Sequence, residues 1–104
     1  MAVREVISTY VRREIKERFG KVFSIEISVG SDCRILKLVI SGDFFAYPPE
    51  VLDSLEREVS GRHVSELVEV VSSAIGRVTL VGVSRESVIE LFRSAVEEVA
   101  AKCR

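Results

Sequence analysis

SGDFFAYPPE, residues 41 to 50, stands between a strongly alternating apolar run and a clear helical pattern. That position makes it a strand-to-helix corner, and its composition fits one. Gly42 permits backbone angles closed to other residues, and Asp43 can hydrogen-bond to backbone amides in a turn. Pro48 and Pro49 each disfavour helix in the residue before them. Pro49 can also occupy the first turn of the following helix, where a missing N–H costs nothing. Phe44, Phe45 and Tyr47 then have two uses: plugging the core of a structural corner, or contacting another molecule.

Working back from the corner, residues 21–29 place Phe23, Ile25, Ile27 and Val29 on one face and Ser24, Glu26 and Ser28 on the other, a half-buried strand. Gly30-Ser31-Asp32 is turn chemistry. Residues 33–41 form a second strand, with Leu36, Leu38 and Ile40 on one face and Ile35 and Val39 around Lys37 on the other. A hairpin is the natural connection, with Cys33 near its tip. Residues 2–19 read as an amphipathic helix, because Val3, Val6, Ile7, Tyr10, Val11, Ile15 and Phe19 recur at three- and four-residue steps. Glu14–Arg18 and Arg13–Glu17 would be i,i+4 pairs on it, and Gly20 would end it.

Working forward, residues 49–60 predict a helix burying Val51, Leu52, Leu55 and Val59, ended near Gly61. Residues 63–75 predict another, with Leu67, Val68, Val71 and Ile75 inward and Gly76 as the stop. Val78–Val81 suits either a third strand or a packed loop. Ser84 is a good N-cap for a last helix whose buried face is Val88, Leu91, Phe92, Ala95, Val96 and Val99, with Glu98–Lys102 as an i,i+4 pair. The expected fold class is α+β: a small antiparallel sheet of two or three strands packed with about four helices. Residues 1–104 make one domain, of which 1–20 is the N-terminal helix.

The chain has 104 residues, 47% of them apolar, and a formal net charge of −1. It can bury a core and is not a disordered tail, and it lacks the basicity of a typical nucleic-acid binder. No apolar run approaches the ~20 residues of a membrane span. Arg4, Glu5, Arg12 and Arg13 interrupt any signal-peptide core, so the expected location is the cytoplasm. Asn and Gln are absent, and Arg (eleven) outnumbers Lys (four), a thermophile's balance. In a mesophile's cytosol Cys33 and Cys103 would be free thiols; in a hyperthermophile they can be bridged. Residues 1–21 are locally positive and residues 43–69 locally negative. The sequence contains no phosphate loop, dinucleotide fingerprint or nucleophile elbow. Two Cys and one His cannot close a structural zinc site, and His63 reads as a helix-entrance residue. Asp43 and Glu50 read as surface or capping carboxylates. No catalytic residue and no metal ligand is expected, and a stand-alone enzyme is not.

The segments Gly20-Lys21, the strand run ending in SGDFFAYPPE, then LDSLEREVSG and LVGVSRESV resemble the accessory domain of lipoate–protein ligases. In that family a corner of this kind leads into a helix with a glycine ending. The matching residues here are Gly42, Asp43, Phe44, Phe45, Pro48 or Pro49, and Glu50, followed by Leu55, Glu56, Val59 and Gly61. The Tyr47-Pro48-Pro49-Glu50 run carries one residue more than the family pattern, and the N-terminal helix lies outside it. The resemblance covers roughly residues 19–96.

The resemblance implies a separate accessory subunit of the archaeal two-subunit type, paired as a heterodimer with a catalytic ligase subunit. It implies a role in activating lipoate with ATP to lipoyl-adenylate, before transfer to lysines of acceptor domains such as 2-oxoacid dehydrogenase E2 and the glycine cleavage H protein. ATP, Mg2+ and lipoate would belong to the complex and none to this chain alone. Gly42, Asp43, Phe44, Phe45, Tyr47, Pro48, Glu50 and Lys21 are the implied partner-interface or site-closing residues. Two other readings stand beside it: a sulfur carrier or iron–sulfur scaffold using Cys33 next to Arg34, and an interaction module using the basic N-terminal segment.

Overall fold

The computed structural model describes residues 9–16 and 22–103. Three strands, β1 (Thr9–Lys16), β2 (Val22–Val29) and β3 (Ile35–Gly42), form an antiparallel sheet in that order. Two short strands, β4 (Phe45–Tyr47) and β5 (Thr79–Val81), form a separate antiparallel ribbon. Between them run α1 (Glu50–Glu58), a 3-10 turn (Val64–Glu66) and α2 (Leu67–Ile75); α3 (Arg85–Lys102) closes the chain. The architecture is α+β with a small antiparallel sheet, as expected.

The expected N-terminal helix is overturned where it can be seen: Thr9–Lys16 is a strand, paired with β2 from Thr9↔Val29 to Lys16↔Val22. Residues 1–8 and 17–20 of that helix lie outside the described residues. The sequence is ambiguous because Val11 and Ile15 satisfy a period of four and a period of two alike. The residues that differ settle it. Tyr10, counted inward on the helix, points outward and is half-exposed, its hydroxyl donating to Glu26 on β2. Arg13 lies on the inward side and reaches Glu98 of α3; Glu17 and Arg18, the partners expected on the helix, lie outside the described residues. The strand also supplies β2 with a ladder on its second side, and Thr, Tyr, Val and Ile suit that pleated surface.

Phe23, Ile25, Ile27 and Val29 of β2 are at most 1% exposed and form the middle of the core. The face expected for β3 needs one correction. A bulge between Ser28 and Val29 of β2 sets Val29 opposite Ile35 and Ser28 opposite Lys37, leaving Leu36 as the extra residue. Ile35 therefore shares the inward face with Leu38 and Ile40. Leu52, Leu55 and Val59 from α1 and its end, Leu67, Val71, Ala74 and Ile75 from α2, and Val88, Leu91, Phe92, Ala95 and Val99 from α3 complete the core. Ser84 caps α3 by accepting from the Ser87 N–H at 3.1 Å, and Glu98–Lys102 is formed at 2.8 Å. His63 caps the 3-10 turn: its Nδ1 accepts from Ser65 N–H, and Glu66 reaches back to the His63 N–H.

Cys33 and Cys103 are joined, with Cα atoms 5.3 Å apart across 70 residues of sequence. The bridge ties the β2–β3 turn to the end of α3, and Cys103 is buried. Closing a loop of this length is worth about 4 kcal/mol in the chain-entropy account. Thermal unfolding with and without reductant, and of Cys33→Ser, should show a fall in Tm of more than about 10 °C. An unchanged Tm on verified reduction would mean the bridge carries none of the stability.

Glu98 gathers two cations, Lys102 on its own helix and Arg13 from β1. The Lys102 hydrogen bond and then the Arg13 charge hold its carboxyl below the usual glutamate range, against the opposing effect of burial. A carboxyl with a lowered folded-state pKa favours the fold while ionised, above its unfolded pKa, and loses that contribution as pH falls through the folded value. Denaturant titrations should find wild type more stable than Glu98→Gln at neutral pH, with the gap closing in acid below the usual glutamate range. A gap that persists there would assign the effect to packing.

Candidate functional site

The corner is built from the close approach of two strands. Gly42 has φ 139°, and a Cβ there would lie 2.1 Å from the Val22 carbonyl oxygen. That same oxygen accepts the Asp43 N–H at 2.7 Å. The end of β3 is thus pressed onto the start of β2, and only glycine fits the crossing. At the far strand Gly82, φ 101°, passes the Asp43 carbonyl, where a Cβ would be 3.2 Å away. These contacts turn the chain out of the main sheet and into the β4–β5 ribbon.

Alternation along the ribbon then sorts its side chains. Ala46 pairs with Leu80, and both pack toward the core. Phe45 pairs with Val81 and Tyr47 with Thr79 on the other face, where Phe45 and Tyr47 are each 75% exposed and Val81 is 58% exposed. Phe44 turns inward onto Phe23, ring centroids 4.8 Å apart and tilted by 58°. The corner therefore divides its aromatics: Phe44 plugs the core, and Phe45 and Tyr47 are presented to solvent.

The remaining expected residues are distributed around this patch. Asp43 is exposed at the start of the ribbon and Glu50 in the first turn of α1, where its charge suits the helix dipole. Pro48 follows a cis peptide bond and is partly buried, and Pro49 is the N-cap of α1. Lys21 lies outside the described residues.

Sequence reasoning missed Val81, whose apolar neighbours gave no sign that it would face outward opposite Phe45. It also missed a groove of about 260 Å³ between the ribbon and α1. Ile40, Phe44, Ala46 and Leu52 floor this groove, Phe45 and Pro49 wall it, and Asp53 and Glu56 contribute carboxylates. Glu56 accepts the Ile40 N–H at 2.7 Å, which satisfies a donor on the outer edge of β3. A larger hollow of about 430 Å³ lies away from the corner, between α1 and α2, and is lined mainly by Glu58, Arg62, Glu66, Glu69 and Arg77. Its cations and carboxylates partly neutralise one another, as Arg62 and Glu66 do at 3.8 Å.

Among the described residues no three His, Cys, Asp or Glu side chains come together as a metal site. Cys33, the thiol that a sulfur-carrier reading needs, is engaged with Cys103. No described helix is long and apolar enough to cross a membrane. What the corner offers is an exposed apolar face formed by Phe45, Tyr47 and Val81.

The fold is similar to that of a chain in the solved structure of an archaeal lipoylation system, described as a bi-partite lipoate protein ligase and its E2 lipoyl domain from Thermoplasma acidophilum. The TM-score is 0.66 at 21% identity, over 85% of this chain and 94% of that one. No family model matches the sequence, and no curated protein matches it. At this identity the likeness speaks for the fold alone.

Gly42→Ala should be among the most damaging substitutions in the chain, costing at least about 2 kcal/mol through backbone strain and collision with Val22. Urea unfolding checks this, with Gly61→Ala as the comparison, because that glycine shares a positive φ but has nothing within 4 Å of its Cβ position. Equal losses at the two sites would show that the Val22 contact is immaterial.

Proposed function

We propose that this chain is the accessory subunit of a two-subunit lipoate–protein ligase, docking on a catalytic subunit through the outer face of the β4–β5 ribbon. The observation that carries this reading is the exposure of Phe45 and Tyr47, at the corner whose sequence resembles that family's accessory domain. The fold's likeness to a chain of a bi-partite ligase system, itself nearly this short, supports it.

The chemistry gives such a subunit a purpose. Joining lipoate to ATP brings an anionic carboxylate to an anionic triphosphate, which needs water excluded and charges held in place. The catalytic subunit would hold ATP, Mg2+ and lipoate. This chain, docked over that site, would order the loops that close it. A firm base suits it to such a role, because the ribbon is fixed by Gly42 against Val22 and by Phe44 against Phe23. Transfer to the lysine of an acceptor domain begins from an activated acyl group and needs the site open, so the subunit is required less there. The E2 domains of 2-oxoacid dehydrogenases and the glycine cleavage H protein are the acceptors this reading names.

The test is ATP- and lipoate-dependent pyrophosphate release by the catalytic subunit of the same organism, with and without this chain. Release should require the chain, and Phe45→Ala with Tyr47→Ala should weaken the complex at least roughly tenfold while leaving Tm unchanged, since both rings are exposed. Equal release with and without the chain, from a folded catalytic subunit, would end the ligase reading.

A further inference from the structure

We propose that the groove between the ribbon and α1 receives one arginine side chain of the catalytic subunit, resting on the ligase reading above. Its aliphatic stem lies over the apolar floor and its guanidinium meets the carboxylates of Asp53 and Glu56 beside the ring of Phe45.

Docking would change the groove's solvation. Phe45 and Asp53 line the same hollow, so a partner group seated in it takes both out of water. A carboxylate desolvated without a counter-charge is strongly unfavourable. None of the ion pairs among the described residues involves Asp53 or Glu56; Arg57, one turn further along α1, pairs with neither. Among the described residues no basic side chain lines the groove. Glu56 uses one carboxylate oxygen on the Ile40 N–H and has the other to offer. A partner seated in the groove would therefore bring the cation.

The shape of the groove selects which cation. Its lining joins apolar side chains with two carboxylates, which suits a long side chain with an aliphatic stem and a charged end. Arginine suits it better than lysine. Its guanidinium is weakly hydrated, forks between two carboxylates, and stacks on an aromatic ring such as Phe45. A second copy of this chain suits it poorly, because a symmetric pair would bring the same carboxylates, Asp43, Asp53 and Glu56, onto one buried face.

The experiment measures association and dissociation of the catalytic subunit with wild type, Asp53→Asn, Asp53→Arg and Phe45→Ala. Asp53 is exposed, so circular dichroism and Tm should confirm that its variants fold. Asp53→Asn is expected to speed dissociation at least roughly tenfold and Asp53→Arg to do more. Reversing a single surface arginine of the catalytic subunit to glutamate should restore binding to Asp53→Arg, an outcome that loss of packing would not give. Binding of Asp53→Asn and Asp53→Arg at the wild-type rate, with Phe45→Ala weakened, would overturn the arginine and leave the ligase reading standing. Weakened binding that no arginine reversal rescues would also overturn it. A wild-type chain that sediments as a dimer broken by Asp53→Arg would make a second copy the occupant. Failure of the wild-type chain to bind the catalytic subunit at any salt concentration would instead remove the ligase reading beneath it.

Discussion

The dryness of one face of β2 is the constraint on which the rest of this structure depends. Phe23, Ile25, Ile27 and Val29 leave the strand apolar along its whole inner face, and burial of each such side chain contributes about 1.5–3 kcal/mol. β1 and β3 satisfy the backbone of β2 from both sides, and α3 packs against β1 and β2. The bulge at Leu36 belongs to the same requirement. Without that extra residue Ile35 would face away from the core, because a single-residue slip reverses every side chain beyond it.

Several polar groups that this arrangement brings inward are answered, although the Arg13 Nε is buried without a partner. Arg13, on the inner side of β1, meets Glu98, which Lys102 also holds. Ser24, buried on the outer face of the sheet, receives the Arg12 guanidinium at 3.4 Å. The edge of β3 is closed by the Ile35 N–H to Arg62 and by Glu56 accepting from Ile40. Edge strands left bare invite unwanted pairing. Here α1 and the loop after it cover part of one, so the side of the molecule beside the ribbon is polar in its backbone and apolar in its exposed rings.

The ribbon separates a ring that packs the core from rings that face solvent. Phe44 faces the core and is needed for packing, whereas Phe45, its neighbour, contributes little to the fold at 75% exposed. Phe44 lies in the turn out of the main sheet and Phe45 opens β4, so the turn directs one ring inward before the ribbon carries the other outward. In the docking proposed above, a patch of two aromatic rings and a valine on a base pinned by two close glycine contacts would lose little freedom. Preorganisation of this kind leaves more of the contact energy for affinity.

Much of the fold could be read in the sequence. The hairpin, the helices after the corner, the Ser84 cap and the buried face of α3 each rest on local periodicity or capping chemistry, which a chain carries with it wherever it folds. The glycine turn at Gly42 and the aromatic corner were legible for the same reason. Four matters were settled only by tertiary structure. Residues 9–16 satisfied two periods, and the open side of β2 chose the strand. Cys33 and Cys103 are 70 residues apart, and only the docking of α3 brings them within 5.3 Å at Cα. The short Thr79–Val81 segment became a strand because Phe45–Tyr47 offered it a partner. The fate of the two phenylalanines, and the groove of Asp53 and Glu56 beside them, followed from where the ribbon lies against α1. Sequence determines what a segment prefers locally; exposure and long-range pairing depend on which other surfaces arrive, and that is decided by packing.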